Sequence, residues 1–198
     1  MLRQLPPKAI ASLFVLVALT VPLTWKAKSL EKKLFGRGDS SVLLQKPAPD
    51  FTLKNLAGEQ VSLSDYKGKK KLVVSFWASW CGPCRMELPA LQAFYEKYHP
   101  RNENFEILAI STDDSQSDAK RYVREAKLTF PVLWDEGGKT EKAYGVDGIP
   151  TMFVIDETGK VIDFEAGFSG ALEFRLMNGL GLKPDATGTA ATDDHTSD

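Results

Sequence analysis

The feature that most constrains this chain is the pentapeptide Trp-Cys-Gly-Pro-Cys at residues 80–84. It follows an apolar run at 72–77 that is typical of a buried strand, and an amphipathic pattern typical of a helix continues from it to about residue 98. A cysteine in the first turn of a helix lies near unpaired backbone N–H groups and the positive end of the helix dipole. Both favour the thiolate, which is the form that attacks disulfides. The segment therefore predicts a site of thiol–disulfide exchange.

The two cysteines are expected to have different roles. Cys81 is predicted to be the exposed attacking thiolate, and Cys84 the shielded thiol that resolves the mixed disulfide. Pro83 has no backbone N–H group, which costs nothing here because N–H groups in the first helical turn have no partner within the helix. Its ring also stiffens the loop that the disulfide closes. Gly82 and Pro83, with Trp80 at the rim, are predicted to meet the substrate.

Metal binding is the main alternative for a pair of cysteines. Zinc needs four ligands, and the chain offers two cysteines and two histidines. Neither His99 nor His195 has recognisable ligand spacing. We therefore expect a redox pair, with no metal and no other cofactor. Two cysteines also cannot form the disulfide framework of a small secreted domain, so the fold must depend on its core.

Strand and helix patterns alternate along most of the chain, which predicts an α/β domain with three layers and a mixed central sheet. The predicted strands include hairpins at 51–63 and 151–164, buried strands at 72–77 and 105–111, and a short edge strand at 130–133 that contains Pro131. The predicted helices after the cysteines are 117–127, capped by Ser117, then 140–144 and 171–180.

Four motifs carry a resemblance to a known family: the strand–WCGPC–helix unit with Gly-Ile-Pro-Thr at 148–151, Ala-Pro-Asp-Phe-Thr-Leu at 48–53, Leu-Ser-Asp-Tyr-Lys-Gly-Lys at 63–69, and Phe-Trp-Ala-Ser-Trp at 76–80. The chain resembles the thioredoxin superfamily and, within it, the TlpA/ResA/DsbE-like membrane-anchored thiol–disulfide oxidoreductases. The resemblance implies a thioredoxin-like fold over 47–183, with an N-terminal β-hairpin and a central αβ insertion at 117–133.

The resemblance also assigns roles to three residues. Pro150 matches the family's cis-proline, which faces the active-site disulfide, and Ile149 before it matches the residue whose backbone pairs with substrate as an added strand. Glu87 matches an acid three residues after the second cysteine. On a helix it shares the face of Cys84, where it can accept or return a proton. The alternative for Glu87 is a solvated carboxylate on the helix surface.

The N-terminal part of the chain has the pattern of a membrane-spanning segment. Residues 9–25 are uncharged and apolar, near the lower length limit for a transmembrane helix. Lys26-Ala27-Lys28 is a poor cleavage site, so we expect an uncleaved signal-anchor after a short segment at 1–8. Residues 26–46 are predicted to be a juxtamembrane linker. Residues 184–198 have the composition of a disordered tail.

Two signals disagree about the side of the membrane. The lysine-rich linker favours a cytoplasmic domain under the positive-inside rule, whereas the resemblance implies a single-pass protein of the cytoplasmic (inner) membrane whose domain faces the periplasm or outer surface. We expect the second arrangement, because long domains cross largely regardless of charge. The resemblance further implies a membrane thiol as electron donor and disulfide-bearing protein substrates, such as apocytochrome c or copper-assembly proteins.

Other function classes fit the sequence less well. A peroxiredoxin-type thiol peroxidase needs threonine three residues before its reactive cysteine, and Ala78 stands there. A copper metallochaperone of this fold needs a Cys-x-x-x-Cys spacing and a distal histidine. Nucleic acid is not expected as a partner, because the acidic part of the chain after Gly38 has no basic patch interleaved with aromatics.

Overall fold

The computed structural model describes residues 39–183. Seven strands form one mixed sheet: β1 (Thr52–Asn55), β2 (Gln60–Ser62), β3 (Lys71–Trp77), β4 (Phe105–Ser111), β5 (Val132–Trp134), β6 (Thr151–Ile155) and β7 (Val161–Ala166). The helices are α1 (Cys84–Tyr98), α2 (Gln116–Glu125), α3 (Lys139–Ala143) and α4 (Leu172–Leu180). Three-residue or four-residue 3-10 turns are formed by Ser40–Leu43, Leu63–Asp65 and His99–Arg101.

The strand order is β2-β1-β5-β4-β3-β6-β7. Strands β3, β4 and β5 are parallel, because α1 and α2 carry the chain back between them, and every other pairing is antiparallel. The carboxyl ends of the three parallel strands therefore meet at one edge of the sheet, where ligand and active sites of α/β proteins usually lie. The cysteine motif follows β3 at this edge.

Both faces of the sheet are covered, which confirms the predicted three layers. Alternate residues of β3 enter different cores: Val73 and Trp77 pack with the apolar faces of α1, α2 and α4, and Val74 and Phe76 pack on the other side with Tyr144. Buried residues of α1 and α2 belong to one core cluster, so the two helices share a face of the sheet. Two right-handed crossovers that proceed in the same direction along a sheet give this arrangement. The opposite layer is thinner, and α3 is its one α-helix within residues 39–183.

The predicted N-terminal hairpin and αβ insertion are confirmed. Leu53 pairs with Val61 across the β1–β2 turn. Helix α2 and strand β5 form the insertion between β4 and the last part of the sheet.

Two details of the insertion were predicted wrongly. Strand β5 is not an edge strand but lies between β1 and β4. Pro131 is tolerated because it precedes β5 and contributes its carbonyl, which accepts a hydrogen bond from the Ala109 N–H at 3.0 Å. The cap of α2 is Ser115 rather than Ser117: the Ser115 side chain accepts from the Ser117 backbone N–H at 3.3 Å. Either serine satisfies the sequence preference, and the backbone path decides which one caps.

The predicted membrane anchor at 9–25 and the tail at 184–198 lie outside the described residues. Within residues 39–183, no helix has the length and apolar character that crossing a bilayer requires. The linker was predicted to extend to residue 46. Its last residues take part in the fold, because Gln45 N donates to Val161 O at 2.8 Å and Val161 N donates to Lys46 O at 2.9 Å.

Candidate active site

Cys81 and Cys84 form a disulfide with an S–S distance of 2.04 Å. Helix α1 begins at Cys84, so Cys81 lies in the turn before the helix, and its carbonyl accepts from Arg85 N at 3.2 Å. The backbone N–H of Cys84 donates to Sγ of Cys81 at 3.2 Å. This N–H is one of the unpaired donors at a helix start. After reduction it can stabilise a thiolate at Cys81 in the same position.

The predicted exposure of the two sulfurs is half correct. Cys84 is completely buried, as expected, but Cys81, which was predicted to be exposed, is only 5% exposed in the disulfide form. Its Sγ is bonded to Cys84 and lies 3.6 Å from the carbonyl oxygen of Ile149, so the neighbouring loop covers it. The exposed groups around it are Gly82, Pro83 and Trp80, whose side chain is 71% exposed.

The Ile149–Pro150 loop faces the disulfide. The Ile149–Pro150 peptide is cis, as the resemblance implied. Thr151 Oγ1 donates to Gly148 O at 2.6 Å, and Gly167 N donates to Pro150 O at 2.7 Å, so both sides of the loop are tied to the fold. The structure therefore brings the Ile149 carbonyl oxygen close to Sγ of Cys81.

Glu87 is buried, which excludes the alternative of a solvated surface carboxylate. The residue is 1% exposed, and its Oε1 accepts a hydrogen bond from Ser75 Oγ at 2.6 Å. Burial raises the pKa of Glu87 to about 7; the Ser75 hydrogen bond opposes this rise, and the charge of Glu165 adds to it. One turn after Cys84 on α1, the chain thus holds an acid that changes its protonation near neutral pH.

Glu165 was not predicted from the sequence. Cross-strand pairs connect Ser75 to Met152 and Met152 to Glu165, so these three residues share one face of the sheet, the face that carries α1. Glu165 Oε1 accepts from Ser169 Oγ at 2.6 Å, and Oε2 lies 3.5 Å from Nε of Arg175. These partners stabilise its negative charge beside Glu87. An acid in the last strand has no local sequence signal that points to the cysteines.

Asp113 is a second residue that the sequence reasoning missed. It is 4% exposed and accepts hydrogen bonds from Ser79 N at 3.1 Å, Ser79 Oγ at 2.7 Å and Ser111 Oγ at 2.8 Å. It therefore fixes the segment before Cys81 to the end of β4. The available signal was its position two residues after the end of a buried strand that pairs with the motif's own strand.

The sequence model of the AhpC/TSA family matches residues 44–164, a stretch that contains the cysteine pair, Glu87 and the Ile149–Pro150 loop. The chain belongs to the AhpC/TSA family. Glu165 and the helix α4 lie beyond the matched stretch of this AhpC/TSA domain.

The relatives of this chain include a thiol-disulfide oxidoreductase and a thioredoxin-like protein. The chain is 41% identical over 117 residues to the thiol-disulfide oxidoreductase ResA of Bacillus thuringiensis subsp. konkukian (strain 97-27), covering 59% of this chain and 66% of that protein. It is 39% identical over 120 residues to the thioredoxin-like protein YneN of Bacillus subtilis (strain 168), covering 61% of this chain and 69% of that protein. The chain thus spans just under two thirds of the length of the first relative.

Solved structures show the same fold. A thiol-disulfide oxidoreductase from Bacteroides fragilis NCTC 9343 superposes with a TM-score of 0.61 at 29% identity, covering 67% of this chain and 98% of that one. StoA from Bacillus subtilis gives a TM-score of 0.57 at 30% identity, covering 66% and 97%. The comparisons confirm the predicted resemblance to ResA/DsbE-type proteins. They also confirm the predicted thioredoxin-like fold.

Proposed function

We propose that this protein is a thiol–disulfide oxidoreductase that reduces protein disulfides through Cys81 and Cys84. One arrangement carries the proposal: the Cys84 N–H points at Sγ of Cys81 at 3.2 Å, while Cys84 itself is completely buried. The first sulfur has a donor for its anionic form, and the second is kept from solvent. The names of the relatives support the same activity.

The reaction is a pair of exchanges. In the reduced protein, the Cys81 thiolate attacks one sulfur of the substrate disulfide, which forms a mixed disulfide and releases the other substrate sulfur as a thiolate. Cys84 then loses its proton and attacks Sγ of Cys81. The substrate leaves with two thiols, and the protein returns to the disulfide seen in the structure. Two electrons pass to the substrate, and a dithiol donor must restore them.

Glu87 is proposed as the proton acceptor for Cys84. Its pKa of about 7 means that a carboxylate is available near neutral pH, and its acid form can return the proton in the reverse direction. It lies three residues after Cys84 on α1, on the buried side of the helix. An external base would have to reach a completely buried sulfur, which makes an internal acceptor more effective.

The substrate is proposed to lie across the exposed rim of the disulfide. Backbone groups of Ile149, beside Pro150, pair with an extended substrate segment, and Trp80, Gly82 and Pro83 contact it from the other side. Ile149 is half-buried and its carbonyl lies 3.6 Å from Cys81 Sγ, so a pairing segment would be held next to the attacking atom.

We infer that residues 9–25 anchor the chain in the cytoplasmic membrane with the domain in the periplasm or on the outer surface. The electron donor would then be a membrane thiol, and the substrates would be proteins such as apocytochrome c or copper-assembly proteins. A fusion of alkaline phosphatase after Lys183 tests the orientation, because that enzyme becomes active only when exported. An inactive fusion that is fully synthesised would overturn the orientation.

Trapping tests the activity. In the Cys84→Ser protein, substrate should stay attached through Cys81, and reduction should release it. The matched Cys81→Ser protein should trap nothing, because its remaining thiol is buried. Equal trapping by both variants contradicts the assigned roles. Peroxide consumption as fast as disulfide reduction would favour a peroxidase instead.

A further inference from the structure

Three side chains in contact, those of Trp77, Tyr122 and Arg85, lead from the core to the surface beside the cysteine motif. Trp77, at the end of β3, is completely buried, and its ring lies 5.3 Å from the ring of Tyr122 on α2. The guanidinium carbon of Arg85 lies 5.4 Å from the centre of the same Tyr122 ring. Tyr122 therefore holds the Arg85 side chain in place by a cation–π contact, and Arg85 itself is exposed to solvent.

Arg85 is the residue directly after Cys84. Its backbone N–H donates to the carbonyls of Cys81 at 3.2 Å and Gly82 at 3.1 Å, which places it in the first turn of α1. The Arg85 guanidinium contacts the Tyr122 ring. Within residues 39–183 it forms no ion pair or hydrogen bond with an acidic side chain. The guanidinium donors are therefore available to a partner molecule.

Apart from Arg85, the exposed residues of the segment 80–86 are uncharged. Trp80 and Met86 are large exposed apolar side chains, at 71% and 58% exposure, and Gly82 and Pro83 lie between them. A single cation at the edge of an apolar rim is complementary to a substrate that combines apolar groups with a carboxylate. Guanidinium is also the cation best suited to binding carboxylate, because its fork of N–H donors matches the two oxygens.

We propose that Arg85 selects disulfide substrates that carry a carboxylate close to the attacked sulfur, and that Tyr122 acts as its positioning residue. This inference rests on the proposed oxidoreductase function and specifies its substrate chemistry. The exchange steps are unchanged: the same sulfur–sulfur bonds form and break, and Arg85 acts only on binding of the substrate before and during the attack.

Three small disulfides of different charge test the inference. The reduced protein is mixed with dithiodipropionate, which carries two carboxylates, with uncharged hydroxyethyl disulfide, and with cystamine, which carries two ammonium groups. Each rate constant is divided by that of the uncharged compound, which removes any effect on the reactivity of Cys81. Because an exposed ion pair is weak, Arg85→Gln should lower the anion-to-cation ratio by about two- to five-fold.

The matched control is Arg124→Gln, which removes the same charge from an exposed position on α2. It should leave the ratio close to that of the wild type. Tyr122→Leu should lower the ratio part of the way, and added salt should lower it in the wild type but hardly in Arg85→Gln, because salt screens exposed charges.

Three results would overturn the inference. Equal effects of Arg85→Gln and Arg124→Gln would mean that net charge alone governs the ratio. An unchanged ratio in Arg85→Gln would mean that the side chain does not meet the substrate. Equal slowing with all three compounds would assign Arg85 to thiolate reactivity. If the wild type reduces none of them, the oxidoreductase function itself fails, which is a different result from loss of charge preference.

Discussion

Ser75 Oγ donates a hydrogen bond of 2.6 Å to Oε1 of Glu87, and both residues are buried. The contact joins the central strand β3 to α1 one turn after Cys84. Two effects oppose each other at this carboxyl: loss of solvent raises its pKa and the serine hydroxyl lowers it. Burial is the larger effect. The acid therefore changes its charge near pH 7, where thiol chemistry also operates.

Replacing Glu87 with glutamine should change how stability depends on pH. Between pH 4.5 and about 7 the unfolded chain releases the Glu87 proton while the folded chain keeps it, so folding loses stability as pH rises. The unfolding free energy falls by about 3 kcal/mol in total, and the fall is complete once the pH exceeds the pKa of Glu87 in the folded protein. Glu87→Gln removes it, so its unfolding free energy should fall less over this range. Urea unfolding of the oxidised protein at a series of pH values measures the difference.

The control for this variant is Glu103→Gln, at an exposed position before β4. Its stability should follow the wild-type pH dependence. Parallel curves for Glu87→Gln and the wild type would mean that Glu87 keeps an ordinary pKa in the folded protein.

Removal of the serine hydroxyl should have a pH-dependent cost. In Ser75→Ala the carboxylate of Glu87 loses its donor, and a hydrogen bond to a charged group contributes about 1.5–3 kcal/mol against about 0.5–1.5 kcal/mol for a neutral one. The unfolding free energy should therefore fall more above pH 7 than at acid pH, and the pKa of Glu87 should rise. Ser64→Ala, at an exposed serine, is the control. An equal loss at both ends of the pH range would argue against a charged acceptor.

Glu165 and Arg175 should move the pKa of Glu87 in opposite directions. Glu165→Gln removes a nearby negative charge, so the pKa of Glu87 should fall. Arg175→Gln removes the cation that lies 3.5 Å from Glu165 Oε2 and offsets its charge, so the pKa should rise. A carboxyl-carbon NMR titration of Glu87 in each variant measures the shift. Shifts of the same sign in both variants would contradict this electrostatic account.

Asp113 should matter for the segment that holds the cysteines. Asp113→Ala leaves the Ser79 N–H and the hydroxyls of Ser79 and Ser111 without their acceptor, which should cost about 2–4 kcal/mol of unfolding free energy. The Ser79 amide should also exchange its hydrogen faster. Asp113→Asn retains one acceptor oxygen and should lose less. The exposed neighbour Asp114 supplies the control, and an equal effect of Asp114→Ala would rule out a specific role for Asp113.

Several elements were predictable because their signals are local. The seven residues of β4 and the strand before the cysteines were visible as apolar runs, and the structure places them at Phe105–Ser111 and Lys71–Trp77. The end of α4 was visible in Gly181, which adopts a positive φ of 71° that glycine tolerates best. The order of the cysteines, with Cys84 buried, also followed from the motif.

The chain by itself thus determined the elements, the pair of cysteines and their kind of chemistry, because periodicity and short motifs depend on neighbours in sequence. Only the tertiary structure decided the interior place of β5, the low exposure of Cys81, the Asp113–Ser79 contact and the charge of Glu165 near Glu87. Each of these depends on residues far apart in the chain. Burial and electrostatic interaction are set by distance in space, and no local pattern encodes that distance.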